Sequence, residues 1–165
     1  MADEDGATRD GTTGDGTSAR RPVMTVEAIT AFLDREFPQL LAGGRAYVVD
    51  SVGPGRAAMR IAADERHLRP GGTVSGPTLM ALADLAAYVA ILAHIGPVAL
   101  AVTTNLTINF LRRPPPGELV AEARLLKLGR RLAVVDVAIA PAAGGDVVAH
   151  AVTTYSIPPD RPAVI

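Results

Sequence analysis

The sequence predicts an α+β domain in which an antiparallel sheet wraps around one long helix. Three observations carry that expectation. A stretch of about 20 residues, from Ser75 to Gly96-Pro97, is apolar nearly all round and so has to be covered by other structure. Two strand-like runs precede it and four follow it. Short turns bearing Gly or Pro join these runs, and short connections favour antiparallel neighbours.

The elements follow in chain order. Residues 1–22, MADEDGATRDGTTGDGTSARRP, hold almost no large apolar side chain and read as a disordered tail, leaving 23–165 as one domain. Thr25 can cap a short amphipathic helix with Val26, Ile29, Phe32 and Leu33 on one face, which Pro38 stops. Runs 45–52 and 56–63 form a hairpin across Gly53-Pro54-Gly55. The long helix takes Ser75 as its N-cap and Pro77 in its first turn. Runs 98–111, 118–127, 131–140 and 146–157 then read as a four-strand meander. The overall pattern is that of a hotdog fold.

Composition narrows the function classes. Of 165 residues, 48% are hydrophobic and 4% aromatic, so the core is built from Ala, Val, Leu and Ile. A net charge of −1 gives no field for nucleic acid or an anionic membrane. With no Cys, the chain has no disulfide, no thiolate nucleophile and no zinc site of the Cys type. The N-terminus lacks an apolar signal segment, and a cytoplasmic protein is expected. Asp84 in the middle of the long helix would cost roughly 2.5–3.5 kcal/mol in a membrane, so that helix reads as buried in a soluble protein.

Asp84 is the principal candidate for chemistry. It stands among Leu82, Ala83, Leu85 and Ala86, where a carboxylate needs a polar partner or a water-lined cleft. A catalytic site, a satisfied Asp at an interface and a solvent-facing Asp all fit that position. The Gly-rich turn before the helix leads into unpaired N–H groups and a positive dipole end, which can stabilise an oxyanion. Strand parity puts Val102, Leu106, Ile108 and Phe110 on one face and Thr103, Asn105, Thr107 and Asn109 on the other, which reads as a solvated outer face. His67, His94 and His150 are far apart without metal-ligand spacing, and His94 near the helix end suits the helix dipole. No Gly-x-Ser-x-Gly elbow or P-loop is present. No cofactor is expected.

From about Arg45 to Pro158 the sequence resembles the PaaI-like hotdog acyl-CoA thioesterases. The shared features are Ser75-Gly76-Pro77 at the family's His-Gly-Gly turn, Asp84 nine positions after Ser75, Asn109-Phe110-Leu111-Arg112-Arg113-Pro114, Gly117 and Gly129-Arg130. The resemblance implies that Asp84 activates water or attacks the thioester carbonyl itself, and the sequence leaves both open. It implies a supporting role for Thr103 beside the attacking water. It also implies a basic rim for the phosphates of coenzyme A, drawn from Arg112, Arg113, Lys127, Arg130 and Arg131, with solvated surface charge as the alternative for each. Asn109 lies in the same motif as Arg112 and Arg113 and counts with the substrate-binding candidates.

Two positions depart from the family pattern. Ser75 replaces the His; it can still donate and accept a hydrogen bond and counts with the catalytic candidates, but it cannot act as an imidazole, which counts against a hotdog dehydratase. Arg69 replaces an Asn and suits an acidic acyl chain or a phosphate. Within the turn itself, Pro77 removes one backbone donor and leaves Gly76 N–H as the oxyanion contact. The expected protein is therefore an acyl-CoA thioesterase assembled as a homodimer or homotetramer, since a curled sheet leaves an edge to cover. The alternative is a non-catalytic acyl-CoA-binding hotdog protein that has lost the family His.

Overall fold

The computed structural model describes residues 20–159. Helix α1, Val26–Glu36, begins where the Thr25 hydroxyl accepts from Ala28 N–H at 3.2 Å, and it buries Ile29, Phe32 and Leu33. Pro38 opens a short 3-10 turn, Pro38–Leu41, because it cannot donate the next helical bond. Strands β1, Tyr47–Gly53, and β2, Arg56–Ala63, form the expected hairpin, with Gly55 at φ 65° in its turn.

A 3-10 turn, Glu65–His67, leads into a two-residue hairpin of β3, Leu68–Arg69, and β4, Thr73–Val74. This small hairpin has too few residues to show a period in the sequence. Its loop turns on Gly71 and Gly72, both at positive φ. Helix α2, Gly76–Ile95, follows; Ser75 caps its start, and Gly96, at φ 90°, ends it. Four strands complete the chain: β5, Val102–Phe110; β6, Gly117–Leu128; β7, Leu132–Pro141; and β8, Ala149–Ser156.

The sheet order is β1-β2-β6-β7-β8-β5, antiparallel throughout. This corrects the four-strand meander: only β6-β7-β8 are sequential neighbours, while β5 pairs with β8 at the far edge. The cause lies in Pro114-Pro115-Pro116. Three residues without N–H donors and with fixed φ cannot close a tight hairpin, so the chain crosses the end of the sheet to reach β2.

One face of the sheet packs on α2. Met59, Ile61, Leu119, Val135, Val137 and Ile139 alternate there with Ala57, Ala121, Ala123, Ala133, Ala149 and Ala151. The small side chains let the helix lie close, and each large aliphatic chain contributes about 1.5–3 kcal/mol on burial. Although α2 is long and apolar enough to cross a membrane, 78% of its apolar window is buried inside the fold. A narrow stripe of the helix stays partly open along Pro77, Met80, Ala81, Asp84 and Tyr88.

His94 does bond the last turn of α2, with Nδ1 2.7 Å from Ala90 O, but its role goes beyond the helix dipole. Its Nε2 accepts from Gly55 N–H at 2.9 Å, so the ring is a neutral bridge from the helix to the β1–β2 turn. The expected tail lies outside the described residues as far as residue 19. Of its last residues, Arg20 O accepts from Gly55 N–H at 3.2 Å.

Candidate active site

Asp84 lies on the partly open stripe of α2, facing β5 and β8. Its Oδ1 accepts from Thr103 Oγ1 at 2.6 Å and from Tyr155 Oη at 2.7 Å. Oδ2 takes no hydrogen bond from any described residue and is left for a ligand or water. Tyr155 Oη is also 2.9 Å from the carbonyl oxygen of Asp84 itself, so side chain and backbone are held together. Burial pushes the Tyr155 phenol well above its ordinary range, and the Asp84 charge pushes it the same way.

Thr103 reaches Asp84 because β5 is bulged. The β5–β8 register slips between Thr103 and Asn105, so Thr103 stands opposite Tyr155 and Leu106 opposite Thr153. Facing residues of an antiparallel pair share one side of the sheet, which places Thr103, Leu106, Ile108 and Phe110 together on the helix side. The simple parity reading is thereby corrected: Thr103 points inward, and Val102, expected inside, is 51% exposed.

Around Asp84 lies a cavity of about 250 Å³. Phe32, Leu33 and Phe37 of α1 and its C-cap wall one side, and Tyr88, Val102 and Tyr155 line the other. The Tyr88 and Tyr155 rings stack with centroids 6.2 Å apart. Tyr88 Oη donates to Ala99 O at 3.2 Å, which fixes the ring as a wall.

The remaining candidates gather elsewhere. Ser75 Oγ accepts from Thr78 N–H at 3.4 Å and lies 2.9 Å from Thr78 Oγ1, so this hydroxyl serves the helix cap. Gly76 occupies the first helical position, where no intrahelical acceptor exists for its N–H. A Cβ there would come within 3.3 Å of the Phe110 ring, so only Gly fits without displacing it. A second cavity, of about 210 Å³, joins Gly76 to Arg69, Arg112, Arg113 and Phe110. Arg112 is paired with Asp146 at 2.9 Å, whereas Arg69 and Arg113 have no ion pair among the described residues.

Asn109 faces away from α2, opposite His150 in the register. Arg130 and Arg131 sit in the β6–β7 turn and Lys127 near the end of β6, all at the end of the sheet opposite Arg112 and Arg113. The predicted set therefore divides: Asp84 with Thr103 at one place, Gly76 with Arg69, Arg112 and Arg113 at another. Among the described residues no group of three His, Cys, Asp or Glu side chains could hold a metal ion.

Sequence reasoning missed Tyr155, Tyr88 and the α1 wall. A signal for Tyr155 existed: its parity in β8 matches Ala149, Ala151 and Thr153, and a buried phenol needs an acceptor.

This fold is the hotdog fold of thioesterases. The family model of the thioesterase superfamily matches residues 71–148. A crystal structure from Silicibacter sp. TM1040 with a provisional thioesterase description is 45% identical, covering 86% of this chain and 96% of that one, with a TM-score of 0.77. A mutant structure of the phenylacetic acid degradation protein PaaI from Thermus thermophilus is 30% identical over 73% of this chain and 98% of its own, with a TM-score of 0.63. A provisionally named esterase of Thermoplasma acidophilum is 25% identical over 67% of this chain and 83% of its own length. The chain belongs to the thioesterase superfamily, in its PaaI-like group.

Proposed function

We propose that the protein hydrolyses acyl-CoA thioesters, with Asp84 as the catalytic carboxylate. One observation carries this reading: Asp84 lines a largely apolar cavity and is fixed through Oδ1 by two hydroxyls, which leaves Oδ2 without a hydrogen bond from any described residue. A thioester carbonyl placed there meets either a water deprotonated by Oδ2 or Oδ2 itself. In the first route the water oxygen bonds the carbonyl carbon, the C–S bond breaks, and the proton taken up by Asp84 passes to the leaving thiolate. In the second, Oδ2 forms a mixed anhydride as the thiolate leaves, and a water then cleaves it, releasing the acid, restoring the carboxylate and supplying the thiolate's proton. A thiol is a good leaving group, so one carboxylate and one oxyanion donor suffice.

The oxyanion donor comes from a second copy of the chain. Asp84 is eight residues beyond Gly76, or about 12 Å along the helix, too far for one carbonyl to touch both. Strand β5 is a sheet edge with both faces exposed along most of its length. Pairing β5 with its own copy across a two-fold axis runs the strands antiparallel, so the Thr103 end of one meets the Phe110 end of the other. That arrangement brings Asp84 of one copy toward Gly76 of the other. Arg69 and Arg113, the cations without partners there, then receive the phosphates of coenzyme A. A cysteine-free chain suits a reducing cytoplasm.

The test is Asp84→Asn, which keeps shape and removes basicity. Turnover of an acyl-CoA panel should fall about 10²–10⁴-fold while acyl-CoA binding persists. A folded variant with wild-type turnover removes Asp84 from the mechanism. A wild type that binds without hydrolysing returns the protein to the binding reading, which Ser75 in place of an imidazole favours.

A further inference from the structure

We propose that the Asp84 cavity selects thioesters whose acyl group carries no negative charge, and that Glu36 enforces this selection. The proposal rests on the thioesterase reading and names the substrate class of that site. Two acidic residues, Asp84 and Glu36, line the cavity, and among the described residues no Lys, Arg or His does. Its remaining walls are apolar or aromatic apart from the Thr103 and tyrosine hydroxyls. An acyl carboxylate entering this space loses hydration and meets two like charges with no counter-charge.

Glu36, the last residue of α1, lines this space. Its field reaches the opposite wall, where the Tyr88 phenol is pushed up to about 12, chiefly by burial and further by Glu36. Arg35 Nε lies 2.7 Å from Glu36 Oε1, but the Arg35 side chain is 65% exposed, rests over the Phe32 ring, and does not line the cavity. Such an exposed pair is weak, and it puts no cation among the cavity walls beside Glu36. Helix stability gives no reason for a carboxylate here, because the macrodipole disfavours anions at a helix C-terminus. At about 250 Å³ the cavity also lies below the roughly 300–1,000 Å³ that encloses drug-sized ligands, so a chain that fills it stays near Glu36.

The test compares hexanoyl-CoA with adipoyl-CoA, equal in chain length and differing by a terminal carboxylate. Binding of their non-hydrolysable thioether analogues to the full-length wild type, Glu36→Gln and Glu36→Lys is measured by calorimetry, and hydrolysis of the true thioesters is assayed in parallel. The wild type should bind the hexanoyl analogue about tenfold more tightly or better, as like charges several ångströms apart at an effective dielectric near 20 require. Glu36→Gln should narrow that ratio to about threefold, and Glu36→Lys should close or invert it. Equal affinities in the wild type, or a ratio unchanged in both variants, overturn the proposal. A ratio that follows Glu36 without hydrolysis by the wild type upholds charge selection and removes the thioesterase reading. Hydrolysis without charge selection does the reverse.

Discussion

Two hydroxyls from different strands converge on one oxygen of Asp84, and that convergence sets which oxygen is free. Thr103 comes from the edge strand and Tyr155 from its neighbour, so the carboxylate is held against the sheet and not by its own helix. Hydrogen bonds to a charged group contribute about 1.5–3 kcal/mol each. Expressed in the barrier, that is roughly 10–100-fold in rate. Thr103→Val and Tyr155→Phe should therefore each lower kcat by about tenfold or more with KM within about twofold, and Thr103→Ser should recover most of the loss. Wild-type kcat in both variants would mean that the hydroxyls only fill space. Ser75 illustrates the opposite case: its place in a family motif suggested chemistry, yet its oxygen is taken up by the helix cap.

At the scale of elements, α1, the β1–β2 hairpin and α2 were legible because each carries a local signal. Thr25, Pro38, Ser75 and Gly96 punctuate them, and the apolar periods between are long enough to count. The place of β5 was not legible, because strand order depends on which partner a strand meets across the sheet, and nothing local in Val102–Phe110 encodes β8. The bulge near Thr104 was hidden for a related reason. One extra residue leaves no compositional mark, yet it reverses the parity of everything before it, so Thr103 changed faces. Asp84 was legible as an isolated charge in an apolar helix, and Gly76 as part of the turn before it. Tyr155 belonged to the same site from 71 residues away, a distance that no window of sequence spans. Glu36 escaped because an acid beside Arg35 at a helix end looks like ordinary surface.

At the scale of the whole molecule, the split between Asp84 and Gly76 predicts activity regained by mixing two inactive proteins. Gly76→Pro deletes the N–H at the first helical position; its Cβ would meet the Phe110 ring at 3.3 Å, so that half-exposed ring has to give way slightly, while Ser75 already has the extended backbone, ψ 152°, that a following proline asks for. Asp84→Asn and Gly76→Pro should each be inactive as homodimers. Unfolded and refolded together, they should recover about one quarter of wild-type activity, because half the dimers are mixed and each mixed dimer holds one intact site. No recovery despite mixed dimers would place both groups in one chain. The stacked pair beside Asp84 has a further use. With no Trp and three Tyr, the long-wavelength near-ultraviolet absorbance of this protein comes from tyrosine, since the three Phe absorb weakly and at shorter wavelength. Burial raises all three phenols above their ordinary value of 10, Tyr88 to about 12. A group raised on folding contributes stability that is complete below pH 10 and is lost as pH rises through the folded value. Tyrosinate absorbance should therefore stay flat through pH 10 and rise together with loss of ellipticity; a phenol ionising near 10 in folded protein would show one open to water. Two of the three chromophores wall the Asp84 cavity, so an occupant shifts their absorbance and the protein reports its own binding without a label.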